Sequence, residues 1–489
     1  MAKAEKIKVQ NFPLLNEGQF VVEKVNDLNF FDLTGNKAKT KGSSNKMYHS
    51  ELQVAKDNSS AQIFTMFGPT GQVQRKDWRH FTDIERARKE YEKILSGKRK
   101  KGYKDIDIAQ RAIGSDDAKK IIKPVVLKNV PAQTSSKLHT ETERLISVIM
   151  GATNKFVAET LRCPLGQLSN EQIDSGRACL NKAKTIINKK TITNKDNDKI
   201  EELTNEFYSL IPHNLGSGSR GQMSHLLLDD ISKINQKEYD LDTLLDAKSI
   251  GNSLISDSIY DQYKSLDTDL DYIDRSSSLF GWLSDMVLNT RAKNHNYLRT
   301  IKVLNAWKVN RAGENSVFEN RMNQIAKEVK TRQPLPAGYR DLMVRRPENR
   351  RVFSQANVLP LFHGTRTQNI SGIFKKGLLI RPSGVVITGA MYGNSLYMAK
   401  NSTKSINYTS INASYWAKGN DNKAFLFLVD CVLGNQLIAN GPYQYSKQNI
   451  SPYHSVWAKP NRSGIINDEF MLYDTNQHNI KYVLEFTCT

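Results

Sequence analysis

Residues 361–370 read LFHGTRTQNI, and the fold of the last third of the chain turns on how this stretch is read. The apolar run VLPLFH at 358–363 predicts a strand. After Gly364 the sequence turns polar, which predicts a helix start with Thr365 or Thr367 as its N-cap. Gly364 has no Cβ and lets a ligand come close to the backbone. His363, at the strand end, can donate a hydrogen bond to a sugar hydroxyl, although a lone histidine is more often structural. Farther on, KAFLFLVDCVL at 423–433 and KYVLEF at 481–486 are largely apolar runs that read as buried strands. Helical segments lead into them from about residue 257. Residues 257–489 are therefore expected to form a mixed α/β domain of catalytic character.

Upstream, residues 137–256 read as helical. Ser169 and Gln172 make a capping-box pattern, and Ile173, Gly176, Leu180, Ala183 and Ile187 trace one face of the helix that follows. Asp198 and Glu201 are read as repeating that pattern near IEELTNEFYSLI at 200–211. An all-α bundle is expected. In YDLDTLLD at 239–246, Asp242 and Asp246 share a helical face, in the plainest reading a solvated one.

Before the bundle, KNVPAQTSS at 128–136 reads as a linker and residues 31–127 as a small β-sheet plus helix module, preceded by an N-terminal segment, 1–30. GNKAKTKGSSNK at 35–46 is loop-like. MYHSELQVA and SAQIFTMFG, separated by KDNSS, predict an antiparallel sheet. TDIERAR at 82–88 opens a helix with Ile84, Ala87, Tyr91 and Leu95 on its inner face, and Gly97 is expected to end it.

A chain of 489 residues exceeds what one core organises and suggests about three domains, so the fold class is multidomain α+β. Lys and Arg outnumber Asp and Glu by 70 to 50, and a net charge of +20 favours polyanionic partners. Between Arg75 and Lys128 there are 17 basic and 9 acidic residues, so this stretch holds eight of the twenty excess charges. Its densest part is Lys98, Arg99, Lys100 and Lys101. With Trp78, Tyr91 and Tyr103 as stacking surfaces, it is the candidate contact for a nucleic-acid end; the plain alternative is a solvated helix end or a nuclear-localisation run. Cys163, Cys179, Cys431 and Cys488 are scattered without zinc spacing and read as reduced thiols, so no metal is expected. The start lacks a secretory apolar run, and no stretch of about 18 apolar residues occurs, which predicts a soluble intracellular protein with no membrane association.

Four short runs carry a family resemblance: HGT at 363–365, GNSLYMA at 393–399, KSINY at 404–408 and NDEF at 467–470. Their order and spacing resemble the His-Tyr-Glu core of the poly(ADP-ribose) polymerases, with His363, Tyr408 and Glu469 as the triad. CPLGQLSNEQI at 163–173 and FYSLIPHN at 207–214 are similar to the regulatory domain of the DNA-damage-dependent members. The resemblance implies NAD as co-substrate. Tyr408 and Tyr397 would stack on the nicotinamide ring, and the Gly364 backbone and Ser405 hydroxyl would hold its carboxamide. His363 and Thr365, with Asn369 nearby, would hold the adenosine-side ribose. Glu469 would bond the nicotinamide ribose, and Lys404 would orient the acceptor or balance Glu469. Asp242 and Asp246 would lie on a helix that restrains the site until DNA binding loosens the bundle. Ser395 and Met398 depart from the family, which commonly has Gly and an aromatic residue there.

The amino-terminal module resembles a WGR domain. Its signature tripeptide stands here as Phe67-Gly68-Pro69, which keeps the turn and an aromatic ring but not the Arg; Arg75 or Arg79 could substitute for that Arg, and Trp78 for the lost indole. The expected activity is NAD-dependent poly(ADP-ribosyl)ation of proteins, itself included, stimulated by DNA breaks. Partners would be DNA ends, acceptor proteins and, as a further candidate, an accessory factor; the location in a eukaryote would be nuclear. Two other readings stay open: a mono-ADP-ribosyltransferase, and an end-binding scaffold with a silent transferase fold.

Overall fold

The computed structural model describes residues 20–33, 44–69, 75–106, 138–161, 168–213, 224–256, 258–329, 356–380 and 391–488. The chain divides into two compact units, Met1–Pro124 with Lys155–Lys248, and Val125–Asn154 with Ser249–Thr489. The expected linker at 128–136, residues 35–43 of the loop at 35–46 and most of CPLGQL lie outside the described residues.

In the first unit, β1 (Phe20–Asp32), β2 (Ser44–Ala55), β3 (Ala61–Pro69), β4 (Arg75–Phe81), helix α1 (Ile84–Lys100) and β5 (Lys104–Ile106) build a five-stranded antiparallel sheet with one helix on it. The strand order is β4-β3-β2-β1-β5. Leu28, Leu52, Val54 and Ile63 pack against Ala87, Tyr91 and Leu95 of α1, so period-2 strands meet a period-3.6 helix face. β1 runs across the expected 30/31 boundary. Phe67 to Pro69 belong to β3, paired with Lys46–Tyr48, rather than to a turn. Asp83 caps α1 by accepting from the Arg86 N–H, and the helix passes through Gly97 to Lys100. Three cations in its last turn favour the negative end of the helix dipole and offset the ~1 kcal/mol propensity cost of that glycine.

The sheet face away from α1 carries a buried polar chain. His49 lies 2.7 Å from Asp27 and 3.0 Å from Glu51, and Gln53 and Gln62 extend the chain. Burial works against the imidazolium, but the two carboxylates outweigh it and hold His49 up at about 9.

Helix α2 (Thr140–Thr160) contributes to both units. The bundle continues with α3 (Asn170–Ile187), α4 (Asn194–Leu210) and α5 (Ile231–Ile250). The Ser169/Gln172 capping box forms as read. The second box is Thr193/Asp196, not Asp198/Glu201, because Thr193 has the extended backbone an N-cap needs and Asp198 lies inside the helix. Two ion pairs join α3 to α5: Lys184–Glu238 at 3.1 Å, each 1% exposed, and Arg177–Asp242 at 2.7 Å. Strand β1 is tied to α4 largely through backbone atoms. Asn29 donates to the Tyr208 and Ser209 carbonyls, Phe31 N–H donates to Ser209 Oγ, and Leu33 N–H donates to Asn205 Oδ1.

The second unit adds α6 (Ile259–Lys264), β6 (Thr268–Tyr272), α7 (Ser278–Asn289), β7 (Ile301–Arg311), α8 (Glu314–Glu328), β8 (Val358–Gly364), α9 (Ile370–Lys376), β9 (Leu396–Met398), α10 (Ser402–Ile406), β10 (Ala424–Val432), β11 (Gln436–Ile438), β12 (Ser455–Ala458), β13 (Glu469–Leu472) and β14 (His478–Cys488). One sheet runs β6-β7-β14-β10-β8 and the other β11-β12-β13-β9. All nine residues of β10 are buried, which is why its sequence is apolar apart from Asp430. The first part of α2 is anchored in this unit, where Arg144 forks onto Glu485 and Thr142 accepts from the Trp307 indole. The expected Thr365 or Thr367 cap does not form: a short 3-10 turn at 367–369 precedes α9, and Thr365 instead accepts from Asn369. Cys179, Cys431 and Cys488 are buried free thiols. No described helix is long and apolar enough to cross a membrane.

Candidate active site

Among the described residues, the two sheets of the second unit meet at a bridge, Phe362 to Ala399, with backbone bonds of 2.8 and 3.0 Å. The next residue on β8 is His363. Its Nδ1 lies 3.2 Å from the Tyr397 carbonyl, which can only accept, so Nδ1 carries the proton and Nε2 is left as an acceptor. In this tautomer Nε2 can accept a hydrogen bond, whereas the sequence reading had His363 as a donor. Burial holds its pKa down at about 4, so the ring is neutral at physiological pH.

Gly364 is also required by the fold itself. A Cβ there would sit 1.8 Å from the Ser405 carbonyl oxygen, so the close approach is by α10 of the protein itself. Ser405 Oγ donates to the Phe362 carbonyl at 3.0 Å and keeps lone pairs for an incoming N–H. Lys404, one residue earlier, donates to the Asn467 carbonyl at 3.0 Å and lies 3.2 Å from Glu469 Oε1. Burial raises the Glu469 pKa and Lys404 pulls it back. Tyr397 donates its hydroxyl to the Gly393 carbonyl and accepts from the Tyr392 N–H, which leaves its ring as a wall. Tyr408, just beyond α10, keeps its ring 44% exposed. Thr365 and Asn369 are buried and bonded to each other at 2.9 Å. The set therefore offers an acceptor for a carboxamide N–H, an acceptor for a sugar hydroxyl, exposed aromatic surface and a lysine-balanced carboxylate suited to developing positive charge.

Sequence reading missed three features of this site. Asp468, beside Glu469, accepts from the Trp457 indole at 2.7 Å and pairs with Lys400 at 2.6 Å. His295 reaches Thr403 and Asn467. Trp416 stacks on Tyr408. The first was within reach, because Lys400 and Lys404 are spaced by four opposite adjacent carboxylates; the other two depend on contacts distant in sequence or on loop geometry.

Of the nucleic-acid candidates, several are engaged within the module. Tyr91 is fully buried in the core, with its hydroxyl 3.1 Å from Asn26 Oδ1 and the Ser50 carbonyl, and is not a base-stacking surface. Tyr103 stacks on Phe30. Lys98 Nζ sits 3.8 Å from the Tyr48 ring centroid, 5.2 Å from that of Tyr103 and 5.6 Å from that of Phe67, and burial lowers its pKa to about 8. Arg99 forks onto Asp105, Arg79 pairs with Glu90, and Trp78 packs on Phe64. Arg75, Lys100 and Lys101 are exposed, with no ion pair among the described residues. In the bundle, Asp242 is held by Arg177, and Asp246, one turn on, is half-buried.

Residues 31–110 match the family model of the WGR domain, 136–274 that of the poly(ADP-ribose) polymerase regulatory domain, and 277–463 that of the poly(ADP-ribose) polymerase catalytic domain. The chain belongs to the poly(ADP-ribose) polymerase family. Glu469 lies just past the matched catalytic segment. Poly [ADP-ribose] polymerase 1 of Gallus gallus is 27% identical over 397 residues, covering 73% of this chain and 34% of the relative. Poly [ADP-ribose] polymerase 2 of Arabidopsis thaliana is 26% identical over 351 residues, covering 67% and 47%. Poly [ADP-ribose] polymerase 2-A of Oryza sativa is 23% identical over 505 residues, covering 93% and 69%. The chain thus spans less than half the length of the first two of these polymerases.

Proposed function

We propose that this polymerase-family chain cleaves NAD at the nicotinamide glycosidic bond and transfers ADP-ribose to protein side chains, its own included, and then onto its own product. What carries this reading is the convergence of His363, Ser405, Tyr408, Lys404 and Glu469 at one sheet junction, each with the chemistry its part requires. Ser405 and the Gly364 backbone hold the carboxamide, Tyr408 and Tyr397 flank the ring, and His363 accepts from the adenosine-side ribose with Thr365 and Asn369 beside it. As nicotinamide leaves, the ribose gains oxocarbenium character, and the Glu469 carboxylate stabilises it. Lys404, 3.2 Å away, opposes the burial that raises the pKa of that carboxylate.

DNA ends are the proposed stimulus, received by the amino-terminal module through Arg75, Lys100 and Lys101. Asp242 and Asp246 belong to a bundle that restrains the site until DNA is bound, a shift between populations. Such a role places the protein, in a eukaryotic cell, in the nucleus. The test is incubation with labelled NAD and a panel of DNA ends, scoring nicotinamide release and product length. Glu469→Gln should cut elongation at least about a hundredfold while NAD still binds. Long polymers made at the wild-type rate by this variant would refute the mechanism, and single-unit products from the wild type would favour mono-transfer. Unchanged hydrogen-exchange protection over 198–256 when DNA raises activity would remove the bundle from the mechanism.

A further inference from the structure

Beside the cleft the protein holds two large aromatic rings in solvent. Tyr415 and Trp416 are each 62% exposed, next to the 44% exposed Tyr408. Trp416 lies 6.5 Å from Tyr408, centroid to centroid, at an interplanar angle of 20°, and Tyr415 meets the Trp416 ring edge-on at 4.7 Å. A contiguous exposed aromatic surface is unfavourable in water unless something covers it.

The rings are not on a loose loop. Asn407, buried and adjacent to Tyr408, accepts the Tyr415 N–H at its side-chain oxygen and the Trp416 and Ala417 N–H groups at its carbonyl, at 2.9 to 3.1 Å. Its amide donates to the Tyr297 hydroxyl at 2.7 Å. Gly419 seals the turn, because a Cβ there would sit 2.1 Å from the Ser410 carbonyl oxygen. The residue that precedes the candidate nicotinamide-stacking tyrosine thus also fixes the exposed pair. Charge adds to the geometry: Lys418 and Lys423 are exposed close by in the chain, and Arg366 donates to the Ala417 carbonyl at 3.3 Å. A stacking face with an arginine held against its own turn suits a flat base joined to phosphates.

We propose that Trp416 and Tyr415, continuous with Tyr408, form a stacking platform for the adenine ring of an ADP-ribose unit outside the NAD cleft. This rests on the transferase reading above. The continuity with Tyr408 favours an ADP-ribose unit over a nucleic-acid base, because a unit stacked here lies where the proposed chemistry would create or extend it.

The probe is free ADP-ribose, titrated calorimetrically into the full chain. Trp416→Ala should weaken binding about tenfold or more, Tyr415→Ala less, and Trp416→Phe should restore most of it. Both rings are largely exposed, so circular dichroism should report an unchanged fold. Wild-type affinity in Trp416→Ala and Tyr415→Ala would overturn the platform. Equal losses for a single-stranded oligonucleotide would overturn its assignment to ADP-ribose. Nicotinamide release by the wild type is scored separately: its absence would defeat the transferase reading, while the ADP-ribose titration would still decide the platform.

Discussion

At Glu469 two effects oppose each other. Burial raises its pKa, and Lys404 at 3.2 Å lowers it. Lys404→Met leaves burial unopposed, so the acid limb of the kcat/KM profile should move to higher pH, with the deficit greatest at low pH and shrinking as pH rises. An acid limb that stays in place would show that Lys404 does not tune this carboxylate. At this scale the residues that come together in the candidate site were largely legible, because His363, Gly364, Lys404, Ser405, Tyr408 and Glu469 stand in short runs whose chemistry is local. The position of the His363 proton was not legible. It is set by the Tyr397 carbonyl, brought alongside only when β8 meets β9. Likewise Gly364 read as room for a ligand, and the Ser405 carbonyl that also demands a glycine there was not visible.

Helices α3 and α5 are joined by a buried charge pair, Lys184 with Glu238. Removing Lys184 takes a buried counter-charge away from Glu238, so Lys184→Ala should cost ~3–5 kcal/mol in urea denaturation, while Lys184→Met with Glu238→Leu should recover most of the loss. If the bundle restrains the site, Lys184→Ala should also raise nicotinamide release without DNA. In the sheet, the His49 imidazolium bound to Asp27 and Glu51 stabilises the fold fully below about pH 6.5, its unfolded pKa. That contribution should be lost as pH rises through about 9. The wild-type denaturation midpoint should therefore fall across this window more steeply than that of His49→Gln, and parallel curves would contradict it. Elements with one wet face were readable, such as α1 and the sheet hairpin at 47–68. β1 was not, because Leu28 and Phe30 are buried on one face while Asp27, Asn29 and Phe31 are buried on the other, which removes the period-2 pattern. The end of α1 was misplaced because cations C-terminal to Gly97 sustain the helix, a pattern that a breaker rule overlooks.

Over the whole chain, the +20 charge favours a polyanionic partner without saying where it would bind. The structure narrows this by engaging Lys98, Arg99 and Arg79 internally and leaving Arg75, Lys100 and Lys101 exposed. Lys100→Ala with Lys101→Ala should weaken DNA-end binding and lower the slope of log affinity against log salt by about two, whereas Arg99→Ala should change the slope little. An unaltered slope in the double variant would place the DNA elsewhere. The seam between β1 and α4 has a consequence for lineage history. Asn29, Ser209 and Asn205 bond mainly to backbone atoms, and every residue type but proline supplies the same backbone groups. Most neighbouring positions can therefore drift without opening the joint, so a sheet module transplanted from a distant cousin should seat on this bundle wherever those three side chains are kept.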